Sequence, residues 1–213
     1  MISAVLWDFG GVITSSPFEA FNRYESSKEL PIDFIRKVNA TNPEGNAWAQ
    51  LESSKITIAE FDEKFAQEAR AKGHEVPGRD VLALLSGELR PEMVKALKIV
   101  KQRVKIGCIT NNVSTGEGAS MAKNPARAAM MDDVLSLFDV VIESSKLGIR
   151  KPDPRIYQIA CKEIGVAPEN AAFLDDLGVN LKPARNLGMY TIKVLSTDQA
   201  LTDLEALLQF PLR

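Results

Sequence analysis

Of the 213 residues, 45% are hydrophobic and 25% charged, enough apolar material for one large domain or one domain with an insertion. Twenty-six basic residues against 28 acidic ones give a net charge of -2 and a pI near 5.6, so no broad basic field serves nucleic acid and any anion must be held locally. No apolar run approaches the roughly 20 residues of a membrane span, and the N-terminal run lacks a basic flank and contains Trp7 and Asp8, unlike a secretion signal.

In chain order, Ile2 to Trp7 is apolar almost without alternation, the pattern of a strand buried on both faces of a parallel sheet. From Pro17 to Leu89 the pattern changes: Phe18, Phe21 and Tyr24, then Ile58, Phe61 and Phe65, recur at helical spacing and no strand-like run intervenes. Pro91 can open a helix carrying Val94, Leu97 and Val100, ahead of a second strand at Val104 to Ile109. Val113 to Arg127, rich in Gly, Ser and Ala, reads as a mobile loop. A third strand is expected at Val140 to Ile142, then a helix opened by Pro154, carrying Ile156, Ile159 and Ala160 and stopped by Gly165. Ala171 to Leu174 and Tyr190 to Val194 are the last strand-like runs, and Thr197 can cap a final helix carrying Leu201, Leu204 and Leu208.

Strand and helix alternate, which predicts an α/β class: a doubly wound, Rossmann-like parallel sheet over residues 1–16 and 90–213. Helices alone over 17–89 predict an inserted helical cap subdomain. Cys108 and Cys161 are the only cysteines, fall in apolar contexts without a CxxC spacing, and read as small buried thiols in a reducing, cytoplasmic setting.

The polar residues that end the apolar runs carry the chemistry. Asp8 closes the first, Thr110 and Asn111 the second, Asp175 and Asp176 the fourth, and Lys151 follows the third after a short loop. Carboxyl ends of parallel strands share one edge of an open sheet, and ligands bind there where the strand order reverses. Taken singly, Asp8 before Gly10 and Gly11 is a strand-to-turn junction, the Asp pair a turn former and Lys151 a solvated loop charge. Together, three carboxylates would repel unless a cation lay among them, most simply Mg²⁺ with its preference for oxygen. Lys151, Thr110 and Asn111 add positive charge and donors, a set suited to a phosphoryl group, and Asp8 is the natural nucleophile for an aspartyl-phosphate.

These residues lie in VLWDFGGVIT (5–14), CITNN (108–112), KLGIRKPDPRIY (146–157) and FLDDLGVNLKPARNLGM (173–189). In these motifs the chain resembles the haloacid dehalogenase superfamily of phosphatases, and most of all the N-terminal phosphatase domain of soluble epoxide hydrolase and its stand-alone bacterial relatives. NPEG (42–45) and ITIAEF (56–61) extend the likeness into the helical insertion. The resemblance implies Asp8 as nucleophile and Mg²⁺ ligand, the Gly10 carbonyl and Asp176 as further ligands, and Asp175 in support. It implies Thr110, Asn111 and Lys151 as phosphoryl-binding groups, and a cap that closes over a small phosphorylated metabolite. Nucleic acid and membrane are not expected partners, and an oligomer is neither excluded nor indicated.

One position departs from the family pattern. The first motif usually reads Asp-x-Asp, with the second Asp as acid and base, and here that place is Gly10. The glycine keeps a ligand carbonyl but removes the proton donor, so esters with good leaving groups would suffer least. Two alternatives stay open: a hydrolytic dehalogenase using Asp8 on carbon, and a catalytically quiet module binding metal or phosphate. Outside the strand ends, His74 could swing in as a substitute acid or lie exposed. Glu44, Asn46 and Trp48 could face the site, with Trp48 more simply a core aromatic, and Lys123 and Arg127 could meet a charged substrate but are more simply solvated loop charges. Nothing in the sequence supplies an epoxide-opening nucleophile motif, and that activity is not expected.

Overall fold

The computed structural model describes residues 1–113 and 125–213. Among them, strands β1 (Ala4–Trp7), β2 (Lys105–Thr110), β3 (Val140–Glu143), β4 (Ala171–Asp175) and β5 (Tyr190–Lys193) form one parallel sheet in the order β3-β2-β1-β4-β5. β1 is central, with Trp7 opposite Cys108 on one side and Leu174 on the other. The chain runs outward from β1 through β2 to β3, then returns to lay β4 along the other flank of β1. The reversal of strand order therefore falls between β1 and β4, where Asp8 directly follows β1 and Asp175 ends β4.

The sheet is buried on both faces because alternate side chains of each strand point to opposite sides. Val5, Trp7, Ile106, Cys108 and Leu174 pack on one face against α6 (Pro91–Lys101), α7 (Pro125–Leu135) and α11 (Thr197–Leu208). Ala4, Leu6, Ile109 and Phe173 pack on the other against α9 (Pro154–Ile164) and α10 (Gly178–Asn186). Both cysteines are buried and free.

Helix ends follow local chemistry. Pro91 and Pro154 occupy first-turn positions, where the missing N–H costs nothing, and Gly165 closes α9 with a left-handed φ of 70°. The last helix is capped one residue earlier than expected: Ser196, not Thr197, accepts from Gln199 N–H, and the Gln199 side chain answers in a capping box. The expectation of an irregular Val113 to Arg127 is also corrected where the structure describes it, since residues 125–127 open α7; residues 114–124 lie outside the described residues.

Between β1 and β2 come α1 (Pro17–Ser27), α2 (Phe34–Ala40), α3 (Ala47–Glu52), α4 (Ile58–Arg70) and α5 (Gly78–Ala83). They have their own apolar cluster, in which Phe21, Phe34, Ile35, Phe61 and Phe65 are buried. Each such side chain removed from water is worth about 1.5–3 kcal/mol. A short helix, α8 (Ser144–Leu147), follows β3 and precedes the loop bearing Lys151. No described helix is long and apolar enough to cross a membrane.

Candidate active site

Asp8 directly follows β1, and the chain then winds through one wide turn, Phe9–Ile13, closed by Thr14 N–H donating to the Phe9 carbonyl at 3.0 Å. Two glycines give this turn its shape for different reasons. Gly11 has φ +79°, and a Cβ there would stand 2.2 Å from Asp176 Oδ2, so both conformation and space require glycine. Gly10 has an ordinary φ of -68°, is exposed, and a Cβ there would meet nothing within 4 Å. No steric demand accounts for its lack of a side chain.

Asp8, Asp175 and Asp176 offer carboxylate oxygens that all lie within 4.8 Å of one another. Lys151 Nζ sits between two of them, 2.8 Å from Asp8 Oδ1 and 2.8 Å from Asp175 Oδ2, and is 1% exposed. Its ammonium also lies 5.5 Å from the Phe173 ring centroid. Burial alone would favour the neutral amine, but the two carboxylates overrule it and hold Lys151 charged, well above the usual lysine range.

The two adjacent aspartates do different work. Asp175 is fully buried and saturated: Oδ1 accepts from Leu177 N–H at 2.8 Å, Oδ2 from Lys151, and Asn180 Nδ2 reaches both oxygens at 3.1 Å. Asp176 is partly exposed and is held by the Ser16 hydroxyl at 3.3 Å. Burial, reinforced by Asp175, raises the Asp176 carboxyl to about 6. Burial likewise raises Asp8 far above the carboxylate range, opposed by Lys151 and reinforced by both other aspartates. Burial is the larger cause of both shifts and the neighbouring carboxylates the smaller, while the all-oxygen donor set fits a hard divalent cation.

Thr110 is buried at the end of β2. Beside it the Asn111 amide clamps the main chain of Lys151, accepting from its N–H at 2.8 Å through Oδ1 and donating to its carbonyl at 3.0 Å through Nδ2. Every strand-end residue singled out in the sequence therefore meets at one sheet edge. Asp8, Gly10, Thr110, Asn111, Lys151 and Asp176 line a cleft of about 1140 Å³, with Phe18, Trp48 and Glu52 among the residues of its helical wall.

The more remote candidates divide. Glu44 and Trp48 line the cleft, and Trp48 also packs edge-on against Phe61 at 5.3 Å, so it is both core and wall. Asn46 instead caps α3, accepting from Ala49 N–H at 2.8 Å. His74 is half-buried, with its ring 5.0 Å from Phe34, and does not line the cleft. Arg127 donates to the Gly87 carbonyl at 2.5 Å from α7, in place of the solvated loop position expected; Lys123 lies outside the described residues. Sequence reasoning gave no role to Ser16, Asn180, Glu52 or Arg150, and of these only Asn180, inside the DDLGVN run, and Arg150, inside KLGIRKPDPRIY, carried a signal.

The model of haloacid dehalogenase-like hydrolases matches residues 2–188. The chain is a haloacid dehalogenase-like hydrolase. It is 34% identical over 219 residues to mouse bifunctional epoxide hydrolase 2, covering 96% of this chain but only 39% of that protein. A phosphatase of Mycobacterium tuberculosis is 31% identical over 196 residues, 88% of this hydrolase and 85% of its relative. A family enzyme of Bacteroides thetaiotaomicron, solved with magnesium and inorganic phosphate, superposes with a TM-score of 0.61 at 20% identity, over 91% of this hydrolase and 94% of that chain. At that identity the superposition establishes the fold.

Proposed function

We propose that this hydrolase is a Mg²⁺-dependent phosphatase of small phosphomonoesters, working through an aspartyl-phosphate on Asp8. The observation that carries the reading is the trio of carboxylates within 4.8 Å, with a buried lysine bridging two of them. Relatives named as phosphatases support the reaction class, and the magnesium and phosphate bound by the Bacteroides enzyme support the cofactor. Asp8, Asp176 and the Gly10 carbonyl would hold Mg²⁺, while Asp175, already saturated, supports Lys151. When bound, the ion neutralises charge on the phosphoryl oxygens and on the carboxylates around it.

The rest is done by the chain's own groups. Among the described residues, Asp8 Oδ1 takes the hydrogen bonds from Lys151 and from Phe9 N–H at 2.7 Å, which leaves Oδ2 to attack phosphorus. The bond from phosphorus to the leaving oxygen breaks as the new one forms, and Lys151 and the Thr110 hydroxyl balance the equatorial oxygens. Asn111, with its amide committed to Lys151, contributes placement of that lysine, and its backbone N–H would be the group it offers to phosphate. Water then attacks the aspartyl-phosphate, releasing inorganic phosphate and restoring the Asp8 carboxylate. With Gly10 in place of an acid, the leaving oxygen takes its proton from solvent, which forgoes roughly 10²- to 10⁴-fold of general acid-base help.

A phosphate-release screen over many metabolites and one activated aryl phosphate, with and without Mg²⁺, tests this reading. Magnesium-dependent release that vanishes in Asp8→Asn supports it. Release that survives in that variant refutes it, and halide release from short 2-haloacids that persists in chelator, without phosphatase activity, replaces it by dehalogenation.

A further inference from the structure

Glu52 ends α3 in the helical insertion, is 6% exposed, and lies in the wall of the cleft. A carboxylate so deeply buried must be paired or it becomes a large penalty. Its Oε2 lies 2.7 Å from Arg150 Nε and 3.5 Å from Asn111 Nδ2. Both partners flank the site lysine: Arg150 precedes Lys151 in the chain, and Asn111 clamps the Lys151 main chain from both sides. Arg150 Nη1 also donates to the Pro43 carbonyl at 2.9 Å, and Ser54 Oγ to the Ser145 carbonyl at 2.7 Å, so the insertion is docked on the segment that carries Lys151.

We propose that Glu52 is a positioning residue that couples docking of the helical insertion to the placement of Lys151. This rests on the phosphatase reading for its effect on turnover, but not for its structural part. A buried ion pair stabilises little more than apolar packing of similar volume, so gluing two units together is a poor account of Glu52. A close buried charge pair, here without hydrogen-bond alignment at Arg150 Nε, holds the guanidinium to one place more narrowly than apolar packing does. Through Arg150 and Asn111, the carboxylate sets where the loop at 150–152 rests, and hence where the Lys151 ammonium meets Asp8 and the substrate phosphoryl. The insertion thereby governs charge neutralisation on the core side of the cleft without touching the phosphoryl group.

Glu52→Gln keeps the shape and removes the charge, and two measurements read the result. By amide hydrogen exchange on the ligand-free protein, exchange across 148–153 should rise roughly tenfold, the equivalent of about 1.4 kcal/mol, while β1 and β4 stay protected. With an activated aryl phosphate and Mg²⁺, kcat should fall roughly tenfold while KM moves less than about threefold, since Lys151 acts on charge that develops at the transition state. Glu52→Asp should recover part of the loss, and Arg150→Gln, which opens the pair from the core side, should reproduce both effects even if Glu52→Gln fails to fold. Unchanged exchange at 148–153 in whichever variant folds overturns the proposal. So does a rise in KM at constant kcat, which would make Glu52 a substrate contact. A wild-type protein without turnover defeats the phosphatase reading alone, and exchange still decides the coupling.

Discussion

On the sheet side of the cleft the charged groups are tied to one another: Lys151 to Asp8 and Asp175, Asp175 to Asn180, and Asp176 to Ser16. The helical side presents Phe18, Trp48 and other apolar surface, with Glu52 as its buried carboxylate. The sheet wall is thus organised before any ligand arrives, by strand ends whose positions the backbone ladder fixes. The helical wall is shaped by an apolar cluster of its own and touches the reactive groups through a few polar links. On the proposed reading, reaction class belongs to the first wall and choice of leaving group to the second.

The contrast breaks first at Asp8. Asp8→Asn should reduce metal-dependent phosphate release to background with the fold intact by circular dichroism, and retained turnover would remove the sheet wall's claim to the chemistry. Gly10→Asp sharpens it: the open space at this position admits a carboxylate, and the rate on poor leaving groups should rise, with a ceiling of roughly 10²- to 10⁴-fold. No gain in a folded variant would count against the missing acid as a limit on turnover.

Smaller effects concern stability. Without metal, folded Asp176 keeps its proton to about pH 6, whereas its ordinary value is 3.8. The folded state therefore binds more protons between these values, and metal-free stability should fall as pH rises from about 4 to 6, by about 3 kcal/mol from this group. Asp8 shifts in the same direction. On the proposed reading Mg²⁺ would bind the ionised form, so its stabilising effect in thermal melts should be large at pH 7 and small at pH 5. An equal effect at both would separate the ion from these carboxylates. Gly11→Ala should cost about 1–3 kcal/mol through its positive φ and, by displacing the Asp176 carboxylate, weaken Mg²⁺ binding in a calorimetric titration.

Much of the sheet wall could be read from the sequence because buried parallel strands announce themselves as continuous apolar runs. The run Ala171 to Leu174 falls inside β4, and Val104 to Ile109 lies one residue from β2. Chemistry at their ends follows from sheet geometry, which is why residues far apart in the chain could be assembled before any coordinates. The helical wall was less legible. Glu52 looks like the solvated end of a short helix, and its burial beside Arg150 and Asn111 arises from docking, which periodicity cannot reveal. Ser16 passes for a plain helix cap, which it is, while also reaching Asp176. Asn180 resembles a turn former until β4 and α10 bring it onto Asp175.

The bare backbone at Gly10 faces open space in the cleft of the reacting groups, since an added Cβ would meet nothing within 4 Å. Formate or acetate could enter it and lend the proton that the chain does not supply. Turnover of an unactivated alkyl phosphate should then depend on the concentration of the buffer as well as on pH, and installing a carboxylate at position 10 should erase that dependence.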